Sequence, residues 1–168
     1  CADATVDCDC DCDVTMSRSR GTVVVTVCPS AVTVTVDDHG SLPGAATVIV
    51  SMGSLCGTAR EAVDSLRDGG LAVGLVKLRL FRPLPVAALR AALAGVEDVV
   101  VLDRNHSPGL GGVLHQELRA ALFGMPEAPQ VHGYLAGVGG VNVSPERIAA
   151  FVQQAQTTPA QAESEWVR

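Results

Sequence analysis

The chain has 168 residues, enough for one domain with a core, and 48% of them are hydrophobic but only 3% aromatic, so Val, Leu and Ala must do the packing. A formal net charge of -6, with no basic patch interleaved with aromatics, argues against a nucleic-acid partner. No apolar run approaches the roughly 20 residues that span a bilayer, and no basic segment followed by an apolar run marks a secretory leader, so a cytoplasmic location without membrane contact is expected.

Residues 1–45 differ from the rest. Cys8, Cys10 and Cys12 alternate with Asp7, Asp9, Asp11 and Asp13, while Cys1, Cys28 and Cys56 stand alone. The setting is not that of a small stapled scaffold, and the C-x-C-x-C run lacks the second ligand pair of a zinc or iron–sulfur site. A disordered low-complexity tail is expected over residues 1–21, with metal binding as the competing reading. Thr22 to Val36 alternates Val and Thr on both sides of Cys28-Pro29-Ser30, a hairpin signal that needs something to pack on. Asp37 to Gly44 reads as a loop.

From Ala46 the pattern becomes regular. Ala46 to Val50 is a short β-branched run, read as a buried strand. The turn Ser51-Met52-Gly53-Ser54 follows, and Thr58 with Glu61 fits a capping box for a helix bearing Ala59, Ala62, Val63 and Leu66. Asp68-Gly69-Gly70 stops it. Ala72 to Leu80 is a second strand. Pro85 suits a first helical position, before a face of Val86, Leu89 and Leu93 that ends at Gly95. Glu97 to Leu102 is a third strand. A glycine turn from Gly109 to Gly112 then leads into a helix carrying Val113, Leu114, Leu118, Ala121 and Leu122. Gln130 to Ala136 reads as a fourth strand, and Ser144-Pro145-Glu146 starts a last helix with Ile148, Ala149 and Val152 inward. A polar tail, residues 157–168, is expected to fray. Strand and helix thus alternate over residues 46–156, which predicts an α/β fold: a three-layer, open, mostly parallel sheet with helices on both faces.

Ligands gather at the carboxyl ends of strands in such sheets, which singles out three loops. Ser51, Gly53 and Ser54 lie ahead of a helix N-terminus, yet their spacing is neither a dinucleotide fingerprint nor a phosphate-binding glycine loop. Asp103, Arg104, Asn105 and His106 are four consecutive polar residues. Asp103 with Arg104 is expected to form an ion pair, Arg104 facing a carboxylate or phosphate being the alternative, and His106 reads as a solvated loop histidine. Gly137, Gly139 and Gly140 form the third loop. Cys56 at a helix start is expected to be a buried small residue rather than a reactive thiol. His115 in a helix and His132 in a strand have no acidic residue at ligand spacing. No complete catalytic constellation and no metal set is read from the chain.

The motifs together resemble one family. Val48 to Asp64 (VIVSMGSLCGTAREAVD), Gly74 to Pro85 (GLVKLRLFRPLP), Val101 to Gly109 (VLDRNHSPG) and Leu135 to Ile148 (LAGVGGVNVSPERI) look, in that order, like the alpha chain of pyruvate:ferredoxin oxidoreductase. The part matched is the family's second domain, similar to the transketolase C-terminal domain. The resemblance implies that the whole enzyme oxidatively decarboxylates pyruvate with thiamine diphosphate and Mg2+, passes electrons through 4Fe–4S clusters to ferredoxin, and makes acetyl-CoA from CoA. It also implies that these groups are bound by other domains or subunits, so no catalytic or cofactor-binding residue is transferred. Ser51 to Ser54, Asp103 to Asn105 and Gly137 to Gly140 are expected to line contacts with neighbouring domains. Two departures accompany this. Residues 1–45 show nothing of the pyrimidine-binding domain expected ahead of the first strand, which implies a fragment of a longer subunit or a shifted reading frame before about Asp38. The loop Gly137 to Asn142 departs mildly from the usual pattern, leaving the 2-oxoacid open. A free-standing nucleotide- or CoA-binding module is the rival reading.

Overall fold

A computed structural model describes residues 46–168 in full and the backbone of residues 14–19, 22–27 and 32–37. The Cys/Asp run at 7–13, read as a disordered tail with metal binding as the alternative, the Cys28-Pro29-Ser30 turn and the loop at 38–44 lie outside the described residues.

Three strands come first: β1 (Val14–Ser19), β2 (Thr22–Val27) and β3 (Val32–Asp37), each antiparallel to the next. Four β/α units then build the body of the molecule. In order they are β4 (Thr47–Met52) with α1 (Leu55–Asp68), β5 (Val73–Leu78) with α2 (Val86–Ala92), β6 (Asp98–Asp103) with α3 (Val113–Leu122), and, last, β9 (Gln130–Leu135) with α4 (Pro145–Ala155). A small hairpin of β7 (His106–Ser107) and β8 (Gly111–Gly112) interrupts the β6–α3 connection, and β10 (Glu165–Trp166) lies in the tail. The sheet order is β1-β2-β3-β5-β4-β6-β9-β10. In it β3 joins β5 antiparallel, whereas β5, β4, β6, β9 and β10 are mutually parallel.

Burial on both faces explains the near-continuous apolar strands. In β4, Val48 and Val50 face one core with Val76, Leu89, Val99, Val101, Leu114 and Leu118. Ile49 points the other way, to Ala59, Leu75, Val100, Ile148 and Val152. Helices α2 and α3 therefore cover one face, α1 and α4 the other. The predicted three-layer α/β architecture is the one observed. On the second face Tyr134 stacks on Phe151 with ring centroids 4.3 Å apart. Burial and the nearby Glu165 charge push the Tyr134 phenol up to about 12.

Several local expectations are corrected. Helix α1 starts at Leu55 after Ser54, so Thr58 and Glu61 sit inside it and form no capping box. The left-handed Gly53 (φ 71) turns the chain straight out of β4, and helix formation begins as soon as Leu55 can enter the core. Val86 is 38% exposed; the inward face of α2 is Ala88, Leu89 and Ala92. Within the stretch 1–21 expected to be disordered, the backbone of residues 14–19 forms a strand paired antiparallel with β2. The tail from residue 157, expected to fray, is tied down: β10 pairs with the end of β9, and Val167, 6% exposed, enters the second core.

Candidate functional site

The chain runs from β4 outward to β5 and then crosses back to β6 on the other side of β4. The first two connections therefore leave in opposite directions, and the crevice between the carboxyl ends of β4 and β6 is the topological switch point where open α/β sheets take ligands. Two of the three predicted loops, 51–54 and 103–105, flank this point, and the third, 137–140, follows β9 next door.

Arg104 joins all three. Its Nη1 donates to Ser54 Oγ at 2.7 Å and its Nη2 to the Gly137 carbonyl at 3.1 Å. Gly137 is left-handed (φ 78), which favours glycine, and a Cβ there would lie 3.2 Å from Arg104 Nε and press on the guanidinium. The expected Asp103–Arg104 ion pair is not what forms. The Asp103 carboxylate instead accepts from Asn105 N at 2.8 Å, Leu114 N at 2.6 Å and, more weakly, His115 N at 3.4 Å. A buried carboxylate facing the free N–H groups and positive end of α3 is better satisfied there than by a side chain that must lean to solvent. The guanidinium, exposed to solvent, bridges the three loops at the rim of the switch point.

Of the candidate residues, Ser51, Asp103 and Gly137 are buried, whereas Gly53, Ser54, Arg104, Asn105, Gly139 and Gly140 reach solvent. Ser51 Oγ points at the Leu102 carbonyl, 3.5 Å away. Cys56 is half-buried in the first turn of α1. His106 is not simply solvated: its ring lies 4.9 Å from that of Trp166.

Sequence spacing hid the partners of the other two histidines. His132 Nε2 meets Asp98 Oδ1 at 3.1 Å, across two parallel strands and 34 residues apart in sequence. His115, fully buried, has Nε2 3.2 Å from the Val131 carbonyl and Nδ1 2.8 Å from Ser164 Oγ. A carbonyl only accepts, so Nε2 carries the hydrogen and Nδ1 accepts from the Ser164 hydroxyl. Ser164 Oγ in turn accepts from Gly112 N at 3.0 Å. Both ring nitrogens and the hydroxyl are thus committed, which makes this a structural node rather than a poised nucleophile and base. Neither was foreseeable, since only the fold brings residue 164 to residue 115.

The donor chemistry does not fit the groups the resemblance names. A 4Fe–4S cluster takes four thiolates, and the described residues hold the single cysteine Cys56. Among them no group of three His, Cys, Asp or Glu is placed to hold a metal ion such as the Mg2+ of thiamine diphosphate. The three loops offer one basic group, Arg104, already bonded twice. A groove of about 470 Å³ lined by Arg119, Phe123 and Pro129 lies beside the amino end of β9, away from the strand carboxyl ends. No helix among the described residues is long and apolar enough to cross a membrane.

The fold and this arrangement define a doubly wound α/β domain whose carboxyl-end loops are joined through one arginine. Residues 45–148 match the family model for pyruvate:ferredoxin oxidoreductase core domain II, and the chain belongs to that family. It is 38% identical over 109 residues to pyruvate synthase subunit PorA of Methanothermobacter thermautotrophicus, covering 65% of this chain and 27% of that one. It is 41% identical over 114 residues to ketoisovalerate oxidoreductase subunit VorA of Pyrococcus furiosus, covering 68% and 29%. Less than a third of either relative is therefore spanned. A solved 2-oxoglutarate:ferredoxin oxidoreductase from Magnetococcus marinus, with 2-oxoglutarate, coenzyme A and succinyl-CoA bound, superposes with a TM-score of 0.55 at 30% identity, over 71% of this chain and 19% of that one. A split-gene transketolase shares the fold, with a TM-score of 0.54 at 21% identity over 68% and 39%.

Proposed function

We propose that the chain is part of the alpha chain of a pyruvate:ferredoxin oxidoreductase, or pyruvate synthase, acting in the cytoplasm. That enzyme converts pyruvate and CoA to acetyl-CoA and CO2 and delivers the electrons to ferredoxin, using thiamine diphosphate, Mg2+ and 4Fe–4S clusters carried elsewhere in the complex. The described domain serves assembly. Its carboxyl-end loops at 51–54, 103–105 and 137–140 face neighbouring domains or subunits, and the membrane and nucleic acid play no part.

The family match over residues 45–148 carries this reading, and the linkage of the three carboxyl-end loops through Arg104 supports the assembly role. Relatives named for pyruvate and for ketoisovalerate match almost equally well, at 38% and 41% identity. Substrate choice is accordingly read as residing outside this segment. The rival, a free-standing CoA- or nucleotide-binding module, is less favoured, because the three loops carry a single basic side chain, Arg104, and it already bonds to Ser54 and Gly137.

The test is a segment exchange. Residues 45–148 should replace the equivalent segment of the Thermotoga maritima PorA subunit, 37% identical over 108 residues, and the chimera should still assemble and reduce ferredoxin with pyruvate and CoA. A chimera that assembles fully but has lost activity would overturn the assembly role. So would pyruvate-dependent ferredoxin reduction by the isolated 168-residue chain.

A further inference from the structure

Two independent contacts connect the end of the chain to the β6–α3 loop. At the first, Ser164 Oγ accepts from Gly112 N at 3.0 Å and donates to His115 Nδ1 at 2.8 Å. At the second, Trp166 packs against His106. Around them the tail is held by Arg119 Nη1 to the Ala162 carbonyl at 2.7 Å, Gln116 Nε2 to the same oxygen at 3.1 Å, and Val167 N to the Leu135 carbonyl at 3.0 Å. Fit is close on the loop side: a Cβ on Gly112 would come within 2.9 Å of both Asp103 Oδ2 and Ser164 Oγ, and one on Gly133 within 2.4 Å of the His115 ring. The His115 imidazole therefore seats directly on the β9 backbone, with the tail closing over it.

We propose that residues 160–168 form a detachable clasp that sets the order of the Asp103–Gly112 loop, so that releasing the tail frees the loop and closing it locks the loop in place. Each component has a physical basis. The tail is anchored by hydrogen bonds near the surface, by a two-residue strand and by one buried apolar side chain, Val167, the kind of segment that opens at lower cost than the core. The loop is short of apolar anchors of its own, since Leu110 is 56% exposed and His106 is exposed. Asn105 N on Asp103, Val113 N on the Asn105 carbonyl and the β7–β8 pairing hold its backbone, and the tail adds Trp166 on His106 and Ser164 on Gly112. Ser164 is the centre of the coupling because one oxygen serves both the loop (Gly112) and α3 (His115). The consequence for assembly rests on the proposed function, in which this loop faces a neighbouring domain; the coupling itself does not.

Amide hydrogen exchange on the full chain tests it. Ser164→Ala should speed exchange about tenfold or more at Gly112, over residues 105–112 and at Val167 together, leaving β4 and β5 unchanged. Trp166→Ala, which removes a half-exposed ring, should produce the same pattern and guards against a Ser164 variant that folds poorly. Faster exchange confined to residues 160–168, with the loop unchanged in both variants, would overturn the clasp; so would no change anywhere. Because the measurement needs no enzymatic activity, its failure is distinct from failure of the assembly role.

Discussion

Asp103 and Arg104 are neighbours in sequence that serve opposite directions. The carboxylate turns inward to the start of α3, and the guanidinium turns outward to Ser54 and Gly137. Each choice follows from what the group needs. A buried carboxylate is stable only where donors converge, and a guanidinium offers several donors in a fixed fork and tolerates exposure. His115 shows the same logic in a titratable group. Burial is the chief cause that lowers its pKa from 6.5, opposed by the Val131 carbonyl and reinforced by the Arg119 charge. With a lowered folded-state pKa, the unfolded chain binds the proton first as pH falls. The stability His115 contributes is therefore complete above pH 6.5 and is lost as pH drops from there toward the folded-state value. Urea unfolding from about pH 7.5 to about pH 5 should show a steeper loss for the wild type than for His115→Gln, and equal slopes would refute it.

At the scale of elements, ends were decided by contacts beyond the local pattern. Helix α4 is the exception, where sequence and structure agree: Ser144 Oγ accepts from Arg147 N at 3.4 Å, Pro145 opens the helix and Glu146 lies in its first turn. The Ser144 hydroxyl and the Glu146 backbone N–H hold the Glu146 carboxyl below its ordinary value. Ser144→Ala should cost about 1 kcal/mol in urea denaturation, the usual value of such a cap; an unchanged midpoint would mean the long contact contributes nothing. Helix α4 also departs from the pattern of the other connections. It covers the same face as α1, although β9 to β10 steps across the sheet in the opposite direction from β4 to β5. After α4 the chain passes to the α3 side, where the Ala162 carbonyl accepts from Gln116 and Arg119 and Ser164 meets His115, before entering the two-residue β10.

For the whole molecule, one sheet supports two cores, and neither can survive the loss of the other because β4 and β6 contribute alternate residues to both. Leu89→Ala on one face should cost about 2–5 kcal/mol and Ile148→Val on the other about 1 kcal/mol. The two should add within about 0.5 kcal/mol, as expected for distant sites, in a single unfolding transition. Two separable transitions would show that the faces melt independently.

Residues 46–156 announce their alternation of strands and helices through β-branched runs, glycine stops and proline starts, because those signals are local and set by backbone sterics and burial. The three carboxyl-end loops are legible for the same reason: parallel α/β topology puts strand ends on one rim. Their linkage through Arg104, the α3 cap at Asp103, the His132–Asp98 pair and the Ser164–His115 node are not, since each joins residues separated by 11 to 50 positions. Spacing carries no information about contacts that exist only after the sheet has been ordered. The tail is the plainest case. Its polar composition predicts fraying, and only the packed β9 edge, with Leu135 and His115 presented beside it, gives residues 160–168 something to hold.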